Sequence, residues 1–285
     1  MSLQSRRFAQ VDVFSAVPLM GNPLAVVIDA EGLSDAAMAS FARWTNLSET
    51  TFLLPPTDPD ADYRLRIFTP GGELPFAGHP TLGSAHSWLA AGGTPKRKGE
   101  LRQQCGIGLV RIKRVVERSG KQRLAFAAPP LRRGGPVSPD LHAQVLKALR
   151  QPTEEVLDVV WVDNGPPWIA ARLQSAEAVL ALKPDFMAMA GLELGVIGAY
   201  PAGAKQQFEV RVFVPTMGFP EDPVTGSFNA GVALWMMERG LCADSYVAAQ
   251  GKALGRAGRI QVQREGADVW IGGDVTTLIE GEVRL

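Results

Sequence analysis

Arg211-Val212-Phe213-Val214-Pro215-Thr216-Met217-Gly218-Phe219-Pro220-Glu221-Asp222-Pro223-Val224-Thr225-Gly226-Ser227 has an earlier counterpart. It is Arg66-Ile67-Phe68-Thr69-Pro70-Gly71-Gly72-Glu73-Leu74-Pro75-Phe76-Ala77-Gly78-His79-Pro80-Thr81. Arg66, Phe68, Pro70 and Pro75 recur as Arg211, Phe213, Pro215 and Pro220, each pair 145 positions apart. Both copies run from an alternating strand through a Pro- and Gly-containing turn into a helix. A second echo, 144 positions apart, links Gly21-Asn22-Pro23-Leu24-Ala25-Val26 to Gly165-Pro166-Pro167-Trp168-Ile169-Ala170. Two matched turns imply two matched halves, with polar residues meeting between them.

The length of 285 residues suits two domains. Hydrophobic residues make up 46%, enough for two cores. Acidic and basic residues balance at 29 each, which gives no electrostatic reason to expect nucleic acid or an anionic membrane as partner. The basic run Lys96-Arg97-Lys98 follows Gly92-Gly93-Thr94-Pro95 and is expected in a solvated turn. Cys105 and Cys242 are too few for a disulfide framework or a Cys-rich zinc site, so both are expected to pack as small apolar residues in a reducing compartment. Neither a secretory signal nor an apolar run of membrane-spanning length is visible, and the expectation is cytoplasmic.

Strands are predicted at 8–14, 24–28, 51–54 and 63–69, with a helix capped by Ser34 ending near Trp44. The first matched turn leads into a helix to about Ala91, stopped by Gly92-Gly93, with Pro80 in its first turn. Strand-like segments follow near 100–105, 109–116 and 123–127. Residues 129–136, with three prolines and two glycines, are the candidate linker. Ser138 and Pro139 open a helix with Leu141, Val145 and Leu149 facing inward. A strand at 156–162, helical stretches at 175–182 and 184–190, and strands at 194–200 and 207–214 come next. The second matched turn opens a helix over 226–239, and four strands close the chain near 246–250, 258–263, 269–272 and 276–284. Each half thus holds many strands and one long apolar helix, which the strands must cover. The expected class is α+β: two pseudo-symmetric domains, each a strand-rich barrel wrapped around a central helix. Strand and helix do not alternate regularly, which argues against a doubly wound sheet.

A helix start presents free N–H groups and partial positive charge. Two starts on one cleft would hold a small anion, most simply a carboxylate. Gly78 and Gly226 would let backbone approach it closely. Asp222 precedes the second helix as a cap or as a carboxylate beside the anion site. His79 is placed in the matching position of the first half. His86 and His142 fall at helical positions and look structural. Ser227 could cap the second helix or bind substrate. Local pattern alone makes Glu49 a solvated acid at a strand entrance, and Glu73 and Glu221 are weaker candidates near the turns. Dinucleotide, phosphate-loop, His-Glu-x-x-His and Gly-x-Ser-x-Gly motifs are absent, so no cofactor and no metal is expected. Glu, His and Asp remain, whose shared chemistry is proton transfer.

Several of these stretches together resemble the PhzF family of phenazine-biosynthesis-like isomerases. They are Val11-Asp12-Val13-Phe14, Gly21-Asn22-Pro23, Asn46-Leu47-Ser48-Glu49-Thr50, Pro75-Phe76-Ala77-Gly78-His79-Pro80-Thr81, residues 218–227, Gln250-Gly251 and Gly272-Gly273-Asp274-Val275. The resemblance spans nearly the whole chain. It implies a diaminopimelate epimerase-like fold whose last strand returns to the first half. The domains become 1–130, completed by about 276–285, and 131–275. It also implies a homodimer and cofactor-free isomerisation, as of a dihydro-hydroxyanthranilate in the best-known member. The residue matching Glu49 moves the proton; those matching His79, Asp222 and Ser227 bind and orient substrate, and Gly78 lines the site. Two departures stand out. Ala77 and Asp222 stand where related epimerases and racemases carry cysteines, which argues against a two-thiol mechanism. Phe228 stands where a small residue is expected, which would reshape the pocket.

The leading expectation is an isomerase that moves a proton between carbons of a small anionic, carboxylate-bearing metabolite, with catalytic residues Glu49, His79 and Asp222 and binding residues Gly78, Gly226 and Ser227. The alternatives are an epimerase using Glu49 and Asp222, and a metabolite-binding or interaction protein without turnover.

Overall fold

The structure, a computed structural model, describes residues 3–116, 122–215 and 219–285. It divides into two compact units: Met1–Ala127 with Gly272–Leu285, and Ala128–Ile271.

In the first unit Ser5–Val13 lies antiparallel to both Val275–Arg284 and Asn22–Val27. From Asn22–Val27 the pairing runs parallel to Glu49–Leu54, antiparallel to Tyr63–Thr69, parallel to Glu100–Cys105, then antiparallel to Gly108–Val116 and on to Gln122–Ala127. The helix Gly78–Ala90 touches strands from every part of this order. Nine of its residues are buried, including polar Thr81, Ser84 and Ser87, so it has strand on most sides. The helix Asp35–Thr45 packs outside, burying Met38, Phe41 and Ala42 against Val27, Phe52 and Phe68.

The second unit repeats the order. Val156–Asp163 is antiparallel to Ile169–Leu173, which is parallel to Leu194–Ala199, antiparallel to Phe208–Phe213, parallel to Ser245–Gln250 and antiparallel to Gly258–Glu265. The helix Gly226–Glu238 is buried nearly all round, and only Leu234 and Glu238 escape burial. The helices Pro139–Leu149 and Ala176–Ala181 lie outside, on a core of Val145, Leu149, Ile169, Val179, Leu194 and Phe213. This is the α+β, barrel-around-helix class expected from the sequence.

Three expectations need correction. The linker is not all linker: Arg133–Pro136 pairs with Val156–Asp163, and Gly135 supplies the positive φ (+86°) that lets a Pro- and Gly-rich segment follow a strand. Residues 184–190 form turns rather than a helix. The third concerns the matched turns, whose register slips. Arg66 and Arg211 are 145 apart, and each forms a bidentate pair, with Glu73 and Glu221 respectively. Those glutamates are 148 apart, as are the helix starts Gly78 and Gly226. Gly83 and Gly231, also 148 apart, mark close approach of strand to helix: a Cβ would meet Leu24 Cδ2 at 2.6 Å and Val162 O at 2.4 Å. Three extra residues therefore belong to the second turn, where Thr216, Met217 and Gly218 lie outside the described residues. The partner of His79 in the repeat is Ser227, not Asp222, and Ala77 answers to Thr225.

Candidate functional site

Three peripheral helices are capped by serine: Ser34, Ser138 and Ser175 accept from Ala37, Leu141 and Ala178 N–H. The two central helices are not. Their N-caps, Ala77 and Thr225, make no side-chain cap bond, and neither first turn carries an acid. Both buried helix starts thus keep the backbone donors and positive end that suit an anion.

The six expected site residues fall into two groups. In the first unit are Glu49, Gly78 and His79. Glu49 opens its strand and is 7% exposed, which overturns its local reading as a solvated acid. Opposite it is Leu24, and it points to the helix start, where its Oε2 lies 3.3 Å from His79 Nε2. His79 is 1% exposed, neither cap nor surface residue. Burial takes its pKa down to about 3, so the imidazole is neutral. Asn22 Nδ2 lies 3.2 Å from His79 Nδ1, and Asn22 Oδ1 accepts from Ser48 Oγ (3.2 Å). With Nδ1 accepting from Asn22, the ring proton sits on Nε2 and faces the Glu49 carboxyl. The contact is one of neutral imidazole with carboxyl, at ion-pair distance but not in aligned hydrogen-bond geometry.

In the second unit are Asp222, Gly226 and Ser227. Asp222 is 6% exposed and opposite Val212; its Oδ2 accepts from Thr225 Oγ1 at 2.5 Å. Ser227, 3% exposed, does not cap the helix; its Oγ accepts from Trp168 Nε1 (3.0 Å), and its carbonyl accepts from Asn164 Nδ2 (2.8 Å). Phe228 is fully buried, with its ring edge-on to Trp168 at 6.0 Å and pressed over Gly195, where a Cβ would come within 2.2 Å. It packs in the core beneath the helix start, against the Trp168 ring that donates to Ser227. Glu73 and Glu221 are held by their arginines.

Sequence reasoning passed over Asn22, Thr225, Gln250, Trp168 and Glu193. The first four lie inside quoted stretches but lacked assigned roles. Glu193 was legible from spacing alone, being 144 residues beyond Glu49. Ile169 N–H donates to its carbonyl, and Ile169 pairs with Leu194 as Ala25 pairs with Thr50. Burial and nearby Asp163 push its carboxyl up to about 7.

Cys105 and Cys242 are unpaired thiols, raised by burial. Among the described residues no three His, Cys, Asp or Glu side chains group to hold a metal ion, and no helix is long and apolar enough to cross a membrane.

Duplicated sets of strands, each around a central helix, place the chain in the diaminopimelate epimerase-like class of α+β folds. Within it the chain belongs to the PhzC-PhzF family of phenazine biosynthesis-like proteins, whose model matches residues 11–281. Trans-2,3-dihydro-3-hydroxyanthranilate isomerase of Pseudomonas aeruginosa is 33% identical over 98% of this chain and 99% of its own. Antisense-enhancing sequence 1 of Schizosaccharomyces pombe is 35% identical over 96% of this chain and 97% of its own. Among solved structures, a predicted epimerase of Pseudomonas aeruginosa superposes with a TM-score of 0.79 at 30% identity, covering 98% of this chain and 99% of that one. By family the chain is an isomerase.

Proposed function

We propose that the chain moves a proton between carbons of a small carboxylate-bearing metabolite, without a cofactor, with Glu49 as the group that takes and returns it. The observation that carries this reading is the buried Glu49 carboxyl facing the Nε2–H of a neutral His79 at 3.3 Å. As a carboxylate, Glu49 can remove a proton from carbon; as the acid it then forms, it can deliver that proton to a second carbon. A neutral imidazole N–H assists the carboxylate without neutralising it as a cation would. Gly78, Gly226 and Ser227 lie at helix starts suited to a substrate carboxylate, and Asp222 supplies a buried acceptor. A homodimer, implied by the family resemblance, belongs to the same proposal, and sedimentation of the purified protein tests it.

Trans-2,3-dihydro-3-hydroxyanthranilate, the compound named for the Pseudomonas relative, is the first probe. Turnover in heavy water is followed by NMR. Glu49→Gln is expected to lower kcat at least ~10³-fold while fluorescence-detected binding and thermal unfolding persist. Turnover within tenfold of wild type would remove Glu49 from its role. The predicted-epimerase neighbour favours one alternative, inversion at a single carbon by Glu49 and Asp222. Deuterium entering at the inverted carbon, with no double-bond shift, would select that alternative. Binding with neither exchange nor conversion would select a non-catalytic role.

A further inference from the structure

One buried amide organises the start of the helix Gly226–Glu238. Gln250, 1% exposed, ends the strand Ser245–Gln250. Gly251 then turns at φ +93°, where a Cβ would come within 2.7 Å of Pro223 O. Gln250 Oε1 accepts from Thr225 N–H (3.0 Å) and Asn229 Nδ2 (3.0 Å). A backbone N–H can only donate, so this contact identifies the oxygen end of the amide. At the other end Nε2 donates to Asp222 O (3.1 Å) and Thr225 Oγ1 (2.9 Å). All four hydrogen-bonding positions of the amide are filled. Thr225 Oγ1, which accepts from Gln250, donates its own proton to Asp222 Oδ2 at 2.5 Å, a length typical of hydroxyl–carboxylate bonds.

We infer that Gln250, acting through Thr225, is a positioning residue that fixes Asp222 as an ionised carboxylate with Oδ2 as an acceptor. This rests on the reading of Asp222 as a site residue. A proton on Oδ2 would require the Thr225 hydroxyl to turn from donor to acceptor and would forfeit the charge-assisted bond, so the relay favours the charged form. The first unit offers a contrast. There Gln103 Nε2 donates to Thr81 Oγ1 (3.0 Å), which donates to the carbonyl of Ala77 (2.8 Å). The same amide-to-threonine chain ends on a group that cannot titrate. Among the described residues, charged groups on segments beside Asp222 include Glu221, held by Arg211, and Arg256, whose Cβ lies beside Gly251. They are unchanged in every variant below and cannot account for a difference between them.

The test is carbon-13 NMR titration of carboxyl-labelled aspartate in the full-length protein, with the Asp222 signal assigned by its loss in Asp222→Asn. Thr225→Val removes the hydroxyl at nearly constant shape and should raise the Asp222 pKa by about one pH unit. Thr225→Ser keeps the hydroxyl and should restore the wild-type titration. Gln250→Met, which cannot donate, should raise it as well. A folded Thr225→Val protein with an unchanged Asp222 titration overturns the relay. If that variant does not fold, Thr225→Ala decides in the same way. An unmoved titration in Gln250→Met reduces Gln250 to a packing residue. The titration needs no substrate, so failure of wild-type turnover would count against the proposed reaction and leave this result standing.

Discussion

A buried histidine and a half-buried glutamate give the protein opposing pH dependences. His79 has a pKa of about 3 when folded, below the ordinary 6.5. The unfolded chain takes up that proton first, so stability falls as pH drops from about 6.5 toward 3 and is unaffected above. By pH 4.5 the loss from this residue should be about 2–3 kcal/mol, and urea unfolding of His79→Asn should show a flatter acid limb than wild type. Glu193 works the other way. Its folded pKa of about 7 exceeds the ordinary 4.5. Its contribution is complete below about pH 4.5, declines as pH rises to 7, and is absent above. Glu193→Gln should therefore be about 1–3 kcal/mol more stable than wild type at pH 8, allowing for partial exposure, and nearly equal to it at pH 4.5. Equal unfolding midpoints at pH 8 would refute the burial argument for Glu193. The repeat relates the two sites: Glu193 occupies the topological position of Glu49, and it is Glu49 that has the His79 imidazole beside it.

At the scale of elements, the repeat provides an internal control for ion-pair energetics. Arg211–Glu221 is buried, with side chains 8% and 6% exposed, and Arg211 Nη1 also donates to the Leu182 carbonyl (2.9 Å). Arg66–Glu73 has the same strand positions but is 21% and 41% exposed. Removing one partner should cost about 3–5 kcal/mol in Glu221→Gln and no more than about 1 kcal/mol in Glu73→Gln, as measured by chemical denaturation. Comparable costs would show that position in the sheet, rather than burial, sets the energy. The arginines and prolines made the duplication legible at constant spacing. The three-residue slip between strand and helix was not, because Pro75 and Pro220 fall in register by coincidence and mask it. Strand pairing was needed to find it. Serine caps were equally visible, and their absence at Ala77 and Thr225 separates the two central helices from the outer ones. Local pattern failed for Glu49, because a strand entrance flanked by Ser48 and Thr50 looks solvated until the barrel closes over it. Family resemblance, not periodicity, brought that residue forward.

At the scale of the whole molecule, the chain leaves its first unit after Ala127 and returns to it at Gly272. The returning strand Val275–Arg284 pairs along the full length of Ser5–Val13, and Leu285 and Gln4 exchange backbone hydrogen bonds. Phe14 N–H donates to the Asp274 carbonyl, and Arg123 pairs with Asp274 at 2.9 Å, so the return is anchored at its start as well. Ser5–Val13 is also the strand that pairs with Asn22–Val27, next to Glu49–Leu54. Deleting residues 275–285 would strip one edge of this strand and expose its backbone donors and acceptors. The first unit should lose cooperative folding while the second, whose strands are all present, retains it. Hydrogen exchange read by mass spectrometry should then show protection lost in 5–127 and kept in 156–265. A synthetic peptide of residues 272–285, supplied during refolding, should restore protection to the first unit. Uniform loss across both units would mean that they fold as one body, and undiminished protection in 5–127 would mean that the returning strand is dispensable to the barrel carrying Glu49 and His79.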